Sequence, residues 1–140
     1  MRSLSLAASL ILVAWRSFAA DSSTPLQNPE QAYQQLLSIK CFAFGGVGYA
    51  GIPSRGELCF KKVLSSANAL QRFKAVLTNG TPEGKLYALC GIRQIFRSDF
   101  AAQAESVLKE NPRVTTMSGC IMRHEPATNV VARIAAGYYD

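Results

Sequence analysis

The sequence has no apolar run long enough to cross a lipid bilayer. Its longest run, Leu4 to Trp15, has about 12 residues, whereas a membrane-spanning helix needs roughly 20. Arg2 precedes this run, and residues 17–19 follow it with small side chains at the two positions that a signal peptidase reads. We therefore expect residues 1–19 to be a cleaved secretory signal, and the mature chain to be secreted or periplasmic with no stable membrane span.

Histidine is nearly absent, and no two cysteines have the Cys-x-x-Cys spacing. The only histidine is His124, and four cysteines are spread along the chain: Cys41, Cys59, Cys90 and Cys120. Zinc sites usually need such a pair or several histidines, so we expect no metal and no cofactor. An even number of cysteines in a small exported domain instead favours two disulfides. Of the three pairings, we prefer Cys41–Cys59 with Cys90–Cys120, because the first would close a glycine-rich loop.

The residue clusters that catalysis requires are also scarce. Cys120 and His124 lie four residues apart near Glu125 and could pair as a thiol nucleophile and its base, but a disulfide is the commoner use of an exported cysteine. No carboxylate lies in an apolar stretch that would raise its pKa, which disfavours glycoside hydrolysis. The sequence therefore predicts no catalytic residue, and a small envelope hydrolase is the alternative.

Acidic residues are fewer than basic ones, nine against 15, and the net charge is +6. Loss of Arg2 and Arg16 with the signal lowers this charge to +4. The basic residues are scattered, and the densest cluster is only Lys61-Lys62, whereas nucleic-acid binding needs a stripe of such charges with base-reading side chains between them. We expect no nucleic-acid partner, and a weak attraction to an anionic envelope polymer stays open.

Helix signals are frequent in residues 28–140, which we interpret as a single helical domain behind a flexible leader at 20–27. Three predicted helices begin at capping residues that are followed by proline or by a glutamate three positions on: Asn28, Ser54 and Thr81. Apolar residues with helical spacing follow each of them. The sequence predicts an all-α fold of about six short antiparallel helices stapled by two disulfides, with an extended segment near Val114–Met117.

Residues 56–110 resemble a HEAT-like array, because short amphipathic helices follow one another there through tight turns. The segments Gly56 to Phe60 and Thr81 to Leu89 are similar to those of small exported bacterial proteins without assigned function. This resemblance implies export and a helical fold. It implies no activity and brings no functional residue with it.

A glycine-rich loop interrupts the helices at residues 41–53. Three of its glycines match the GxGxxG pattern of dinucleotide-binding turns, but Pro53 delays the next helix and no acidic residue follows about 20 positions on. We interpret the segment as a loop of unusual backbone conformation and as the best candidate contact surface. Its candidate binding residues are Phe44, Gly46, Gly48, Tyr49 and Arg55.

The function that these features favour is binding rather than catalysis. The sequence predicts a non-enzymatic module of the cell envelope or extracellular space that contacts a protein or a polymer. An inhibitor or immunity protein for a secreted enzyme is a further alternative beside the small hydrolase. The C-terminal Tyr138 and Tyr139 would either form an aromatic binding patch or, more commonly, pack at the edge of the core.

Overall fold

The computed structural model describes residues 25–26 and 28–140. The predicted signal at 1–19 and the predicted leader, apart from its residues 25–26, lie outside the described residues. The described part contains six α-helices, two β-hairpins and a short 3-10 turn after the fourth helix. In chain order the elements are α1 (Pro29–Ser38), β1 (Gly46–Val47), β2 (Ile52–Pro53), α2 (Arg55–Leu64), α3 (Ala69–Asn79), α4 (Pro82–Ile95), the turn Arg97–Asp99, α5 (Phe100–Glu110), β3 (Arg113–Ser118), β4 (Ile121–Pro126) and α6 (Ala127–Ala135).

The prediction of an all-α fold is wrong, because two small antiparallel sheets lie between the helices. β1 pairs with β2 in the glycine-rich loop, and β3 pairs with β4 from Arg113 opposite Pro126 to Ser118 opposite Ile121. The extended segment expected near residues 114–117 is therefore one strand of a hairpin. Gly119 in its turn has φ of 56°, a conformation that favours glycine. The fold is mixed α and β.

The helix starts expected from capping residues are confirmed. Each capping side chain accepts a hydrogen bond from the backbone N–H three residues on, at 2.8 to 3.1 Å: Asn28, Ser54 and Thr81. The carboxylate of Glu57 does not complete a capping box. It accepts a hydrogen bond from the Gly45 N–H at 2.9 Å and forms an ion pair with Lys61 at 2.6 Å. Glu57 therefore ties the glycine-rich loop to α2.

Helix α4 is the centre of the core. Every residue from Leu86 to Arg93 is buried, and α4 contacts each of the five other helices in the described chain. Two glycines permit this close packing. A Cβ on Gly84 would lie 2.3 Å from the Leu36 carbonyl oxygen, and a Cβ on Gly91 would lie 2.2 Å from the Phe73 ring. α4 has more buried residues than any other helix of the described chain.

The prediction of two disulfides is wrong, because all four cysteines are free thiols. Cys59 and Cys90 are buried on α2 and α4, Cys41 is half-buried, and Cys120 is exposed in the β3–β4 turn. The Cys59 thiol donates a hydrogen bond to Gln35 Oε1 at 3.3 Å. Burial raises the pKa of the Cys41, Cys59 and Cys90 thiols, so these side chains are protonated at neutral pH. Cys59 and Cys90 pack as small core residues.

The lengths of the helices set what each of them can span. The longest, α4, has 14 residues. Among residues 25–26 and 28–140, no helix is both long and apolar enough to cross a membrane.

Candidate functional site

The glycine-rich loop after α1 lies beside β3. The Phe42 N–H donates to the Thr115 carbonyl at 2.8 Å, and the Met117 N–H donates to the Phe42 carbonyl at 3.0 Å, as in a parallel strand. Farther along, the Gly48 N–H donates to the Gly119 carbonyl at 2.9 Å. The turns of the two hairpins are thereby joined into one surface.

A buried tyrosine of α4 holds the start of this loop. The Ala43 N–H donates to the Tyr87 hydroxyl at 2.9 Å, and the hydroxyl donates to the Ala43 carbonyl at 2.8 Å. Ser54 Oγ donates to the same carbonyl at 2.7 Å. Burial raises the pKa of Tyr87, which keeps the donating proton in place. Gly56 leaves room for this contact, because a Cβ there would lie 2.4 Å from the Tyr87 hydroxyl oxygen.

A cleft of about 270 Å³, which we call the aromatic cleft, lies between this loop, one face of the β3–β4 hairpin and the C-terminal tyrosines. The rings of Phe42, Phe44 and Tyr139 form one wall, with centroids 5.1 to 5.4 Å apart. Both phenylalanine rings also contact Tyr87, so this wall is continuous with the core. The hairpin lines the cleft with Met117 and with alternate side chains that share one face: Thr116, Ser118, Ile121, Arg123 and Glu125.

The cleft contains an ion pair between Glu125 of β4 and Arg133 of α6. Arg133 on α6 donates two hydrogen bonds to the carboxylate of Glu125, at 2.6 and 3.0 Å. Arg133 Nε also donates to the Tyr139 hydroxyl at 3.0 Å, and Thr116 Oγ1 donates to Glu125 at 2.8 Å. The hydrogen bonds from Arg133 lower the pKa of Glu125. Glu125 is therefore ionised at neutral pH and acts as a clamp rather than as a proton donor.

Arg123 supplies the remaining charge of the cleft. Its side chain is exposed, and within the described residues it forms no ion pair. Ile121, two residues away on the same face, is 59% exposed, and Tyr138 at the other side of the cleft is 75% exposed. The cleft therefore presents apolar surface beside a cation. This combination suits the binding of an apolar group next to an anionic one.

Four of the five candidate binding residues lie in this region. Phe44 lines the aromatic cleft, Gly46 belongs to β1, and Gly48 follows it with φ of 69°. Tyr49 lies in the turn between β1 and β2 with its side chain fully exposed. Its ring therefore does not pack against the flanking aromatic residues, in contrast to the ring of Phe42.

Arg55, the fifth candidate, lies apart from the aromatic cleft. It begins α2, and its Nε donates to Gln35 Oε1 at 2.6 Å. It lines a second, more open groove of about 700 Å³ that shares no lining residue with the cleft. We call it the basic groove. Its other lining side chains are Pro25, Leu26, Ile52, Pro53, Leu58, Lys61, Lys62 and Ser65.

Cys120 and His124 are not arranged as a nucleophile and its base. The ring of His124 is directed to Thr115, whose Oγ1 lies 3.1 Å from its Nδ1, on the hairpin face opposite the cleft. No hydrogen bond joins Cys120 to His124 in the described chain. Among the described residues, no group of three or more histidine, cysteine, aspartate or glutamate side chains is placed to hold a metal ion.

Sequence reasoning missed the charged members of the cleft. Ile121, Arg123 and Glu125 occupy alternate positions of β4 and share one face, but Met122 and His124 between them leave no apolar–polar alternation that would have marked a strand. The partner of Glu125, Arg133, lies on α6, so its role follows only from the tertiary structure. Of the C-terminal tyrosines, Tyr139 packs at the edge of the core, which was the commoner alternative, and Tyr138 is exposed at the cleft.

No protein-family model, no curated protein and no solved structure matches this chain. The proposal for its function therefore rests on the geometry of the aromatic cleft and of the two joined hairpins.

The ion pair of the cleft predicts a pH-dependent stability. Because Arg133 holds the pKa of Glu125 below its ordinary value, the pair stabilises the fold above about pH 4.3, and this stabilisation is lost as the pH falls through the lower folded-state pKa. We expect Glu125→Gln to reduce the free energy of unfolding by about 1 kcal/mol at pH 7. Denaturant titrations from pH 2.5 to 7 should show the two proteins converging at the acid end.

The exposed ion pair between Lys85 and Glu110 offers a matched control for this experiment. Glu110→Gln should change the stability by less than about 0.5 kcal/mol, because Glu110 is largely solvated. A difference between Glu125→Gln and the unmodified chain that stayed constant over the whole pH range would contradict the assigned role of Glu125.

Proposed function

We propose that this chain is an exported, non-enzymatic binding module that contacts a partner protein through the aromatic cleft and the two hairpin turns beside it. One observation carries the proposal: two large apolar side chains that line the cleft, Ile121 and Tyr138, are 59% and 75% exposed. The two hairpins beside the cleft expose three more large apolar side chains: Tyr49, Ile52 and Met122. Exposed apolar residues that cluster in this way are typical of protein-interaction surfaces.

The start of the glycine-rich loop, which forms one wall of the cleft, is held firmly, and this supports a binding role. Tyr87, Glu57 and the contacts to β3 fix the loop at Ala43, Gly45 and Phe42. A surface fixed before binding loses little conformational entropy when a partner docks. The same property would suit an inhibitor or immunity protein for a secreted enzyme, which is a special case of this proposal.

The chemistry of the cleft favours binding over hydrolysis. Hydrolysis by paired carboxylates needs one acid that keeps its proton near neutral pH. The carboxylate that lines the aromatic cleft is Glu125, and Arg133 keeps it ionised. The signal-like pattern of residues 1–19 supports export, and with it an interaction in the envelope or outside the cell.

A pair of matched variants tests the proposal. The tagged chain without residues 1–19 is used to capture proteins from the envelope and culture-medium fractions of the organism that encodes it. We expect one protein at about equal stoichiometry. Ile121→Asp should abolish its capture, since the aspartate lies in the cleft surface, whereas Leu108→Asp should not. Leu108 is a suitable control because it is also partly exposed but lies on α5.

Three results would contradict the proposal. The first is capture that Ile121→Asp leaves unchanged. The second is loss of capture with Leu108→Asp when circular dichroism shows that this variant is folded, because the contact would then not be specific to the cleft. The third is salt-sensitive retention of a polymer with no stoichiometric protein, which would assign the contact to the basic groove around Arg55 and Lys62 instead.

A further inference from the structure

Within residues 25–26 and 28–140, no strand lies beside the outer edge of β4. β3 is paired on both sides, with β4 on one side and with the chain at Phe42 on the other. In the same residues β4 is paired only with β3, and its residues from Ile121 to His124 are exposed. An open strand edge of this kind is a template for the addition of another strand.

The register of the hairpin identifies which backbone groups face outward. The carbonyl of Thr115 and the N–H of Met117 form hydrogen bonds with Phe42, on the side of β3 away from β4. In an antiparallel pair, the residues opposite them likewise direct their backbone groups away from the partner strand. These residues are His124 and Met122.

Most of these outward groups are open to a partner. In the described chain no backbone group bonds the N–H of Met122, the carbonyl of Met122 or the N–H of His124. The fourth group, the carbonyl of His124, accepts a hydrogen bond from Arg113 Nη2 at 2.7 Å. The edge therefore offers three free backbone groups and one that a side chain already caps.

The charge along this edge is of one sign. Arg113 and Arg123 form no ion pair with a carboxylate in the described chain, and no acidic residue lies between positions 113 and 124. The first carboxylate after them, Glu125, is held by Arg133. A strand that docks here therefore meets two arginines whose charges are not neutralised by an ion pair.

The side chains on the cleft face define the pattern that would fit. Ile121 and Arg123 are two residues apart in β4, so they lie side by side on that face. A strand added along the edge would place every second one of its residues on the same face, beside Ile121 and Arg123. An apolar residue would meet Ile121 and Tyr138, and an acidic residue would meet Arg123.

We propose that the β4 edge binds an extended segment of the partner protein that carries an acidic and an apolar residue in alternate positions. This inference rests on the proposed function and adds the chemistry of the partner. A second copy of the chain is a poorer occupant. Pairing that uses both Met122 and His124 of each copy would set Arg123 directly opposite the same arginine, and like charges in that position destabilise a sheet.

A short symmetric peptide tests the inference. The probe is acetyl-Thr-Leu-Thr-Glu-Thr-Leu-Thr-amide, whose leucines and glutamate share one face in either strand direction. In nitrogen-15 NMR titrations, the amides of Met122 and His124 should shift saturably. The same peptide with lysine in place of glutamate should bind about tenfold more weakly, and so should the acidic peptide to Arg123→Glu.

A backbone variant separates strand addition from ordinary side-chain docking. Met122→Pro removes an outward N–H without removing a hydrogen bond inside the hairpin, and it should weaken the acidic peptide about tenfold. Met122→Ala keeps that N–H and should stay within about threefold of the unmodified chain. If Met122→Pro fails to fold, the acidic peptide with N-methyl groups on alternate backbone amides gives the same comparison on the unmodified chain. N-methylation removes the peptide N–H groups that strand addition needs.

The outcomes separate this inference from the proposed function. Absence of saturable shifts, equal binding of the lysine peptide, or shifts confined to the basic groove would overturn strand addition. So would concentration-dependent self-association that Met122→Pro abolishes, which would assign the edge to a second copy. If the captured partner protein is lost with Ile121→Asp but retained with Met122→Pro, the edge proposal fails and the binding module stands.

Discussion

Replacing Gly91 by alanine is expected to destabilise the protein by about 2 kcal/mol, although alanine is the better helix former. The added Cβ would lie 2.2 Å from Cε2 and 2.3 Å from Cδ2 of the Phe73 ring. Phe73 is fully buried and contacts the Phe60 ring at 5.6 Å, so it has little room to move. Overpacking of this kind costs about 3 kcal/mol, and the gain in helix propensity returns about 1 kcal/mol.

Thermal and urea unfolding measure this effect directly, and the expected loss in melting temperature is roughly 10 °C. A double-mutant cycle provides the control. Phe73→Leu shortens the opposing side chain, so Gly91→Ala should cost much less in that background than alone. If the two changes were additive, the contact between Gly91 and Phe73 would not be the cause, and this account of the α3–α4 packing would be wrong.

The helical part of the fold was largely predictable from local signals. The start of α2 is set by Ser54, because its hydroxyl accepts a hydrogen bond from the Glu57 N–H, which has no partner within the helix. The position of α4 follows in the same way from Thr81, and its burial follows from the broad apolar run behind it. Such signals act within one helical turn, so they can be read without knowledge of the tertiary structure.

The two hairpins were not predictable in the same way. All of β4 up to Glu125 is exposed, so it lacks the alternation of buried and exposed residues that marks a strand. β1 and β2 have only two residues each. The contact of Phe42 with Thr116 joins residues far apart in the chain, and nothing local to either residue indicates it.

The cysteines show how a compositional argument fails. An even number of cysteines in a small exported domain favours disulfides. Cys59 on α2 and Cys90 on α4 instead lie in the hydrophobic core of the protein, where each is buried among apolar side chains. A thiol fits such a position as a small apolar group. The number of cysteines does not show where each side chain lies in the fold, and it is this placement that leaves all four as free thiols.

The candidate site was half predictable for a related reason. The glycine-rich loop stands out because residues such as Gly48 and Gly51 take positive φ values that other residues avoid, and this requirement is local. The opposite wall depends on Arg133 meeting Glu125 across the join between β4 and α6. A loop that looks flexible in sequence is in fact fixed at several points, and Tyr87 is the most deeply buried of them.

Replacing Tyr87 by phenylalanine is therefore expected to affect both stability and the aromatic cleft. The ring and its contact with Phe42 at 4.8 Å would remain, but the buried N–H of Ala43 would lose its acceptor. The Ala43 carbonyl would keep its hydrogen bond from Ser54. An unsatisfied buried N–H costs about 1–3 kcal/mol, so we expect a loss of about 2 kcal/mol in the free energy of unfolding.

Tyr33→Phe is the matched control, because its hydroxyl makes no hydrogen bond in the described chain and its ring contacts Arg72. It should change the stability by less than about 0.5 kcal/mol. Hydrogen exchange adds a local measurement: in Tyr87→Phe the amides of Ala43 and Gly45 should exchange faster relative to those of α4. Unchanged protection at Ala43 would show that the loop is held without the Tyr87 hydroxyl. In that case the wall of the cleft would be fixed by the contacts of Phe42 with β3 and by the hydrogen bonds of Ser54 and Glu57.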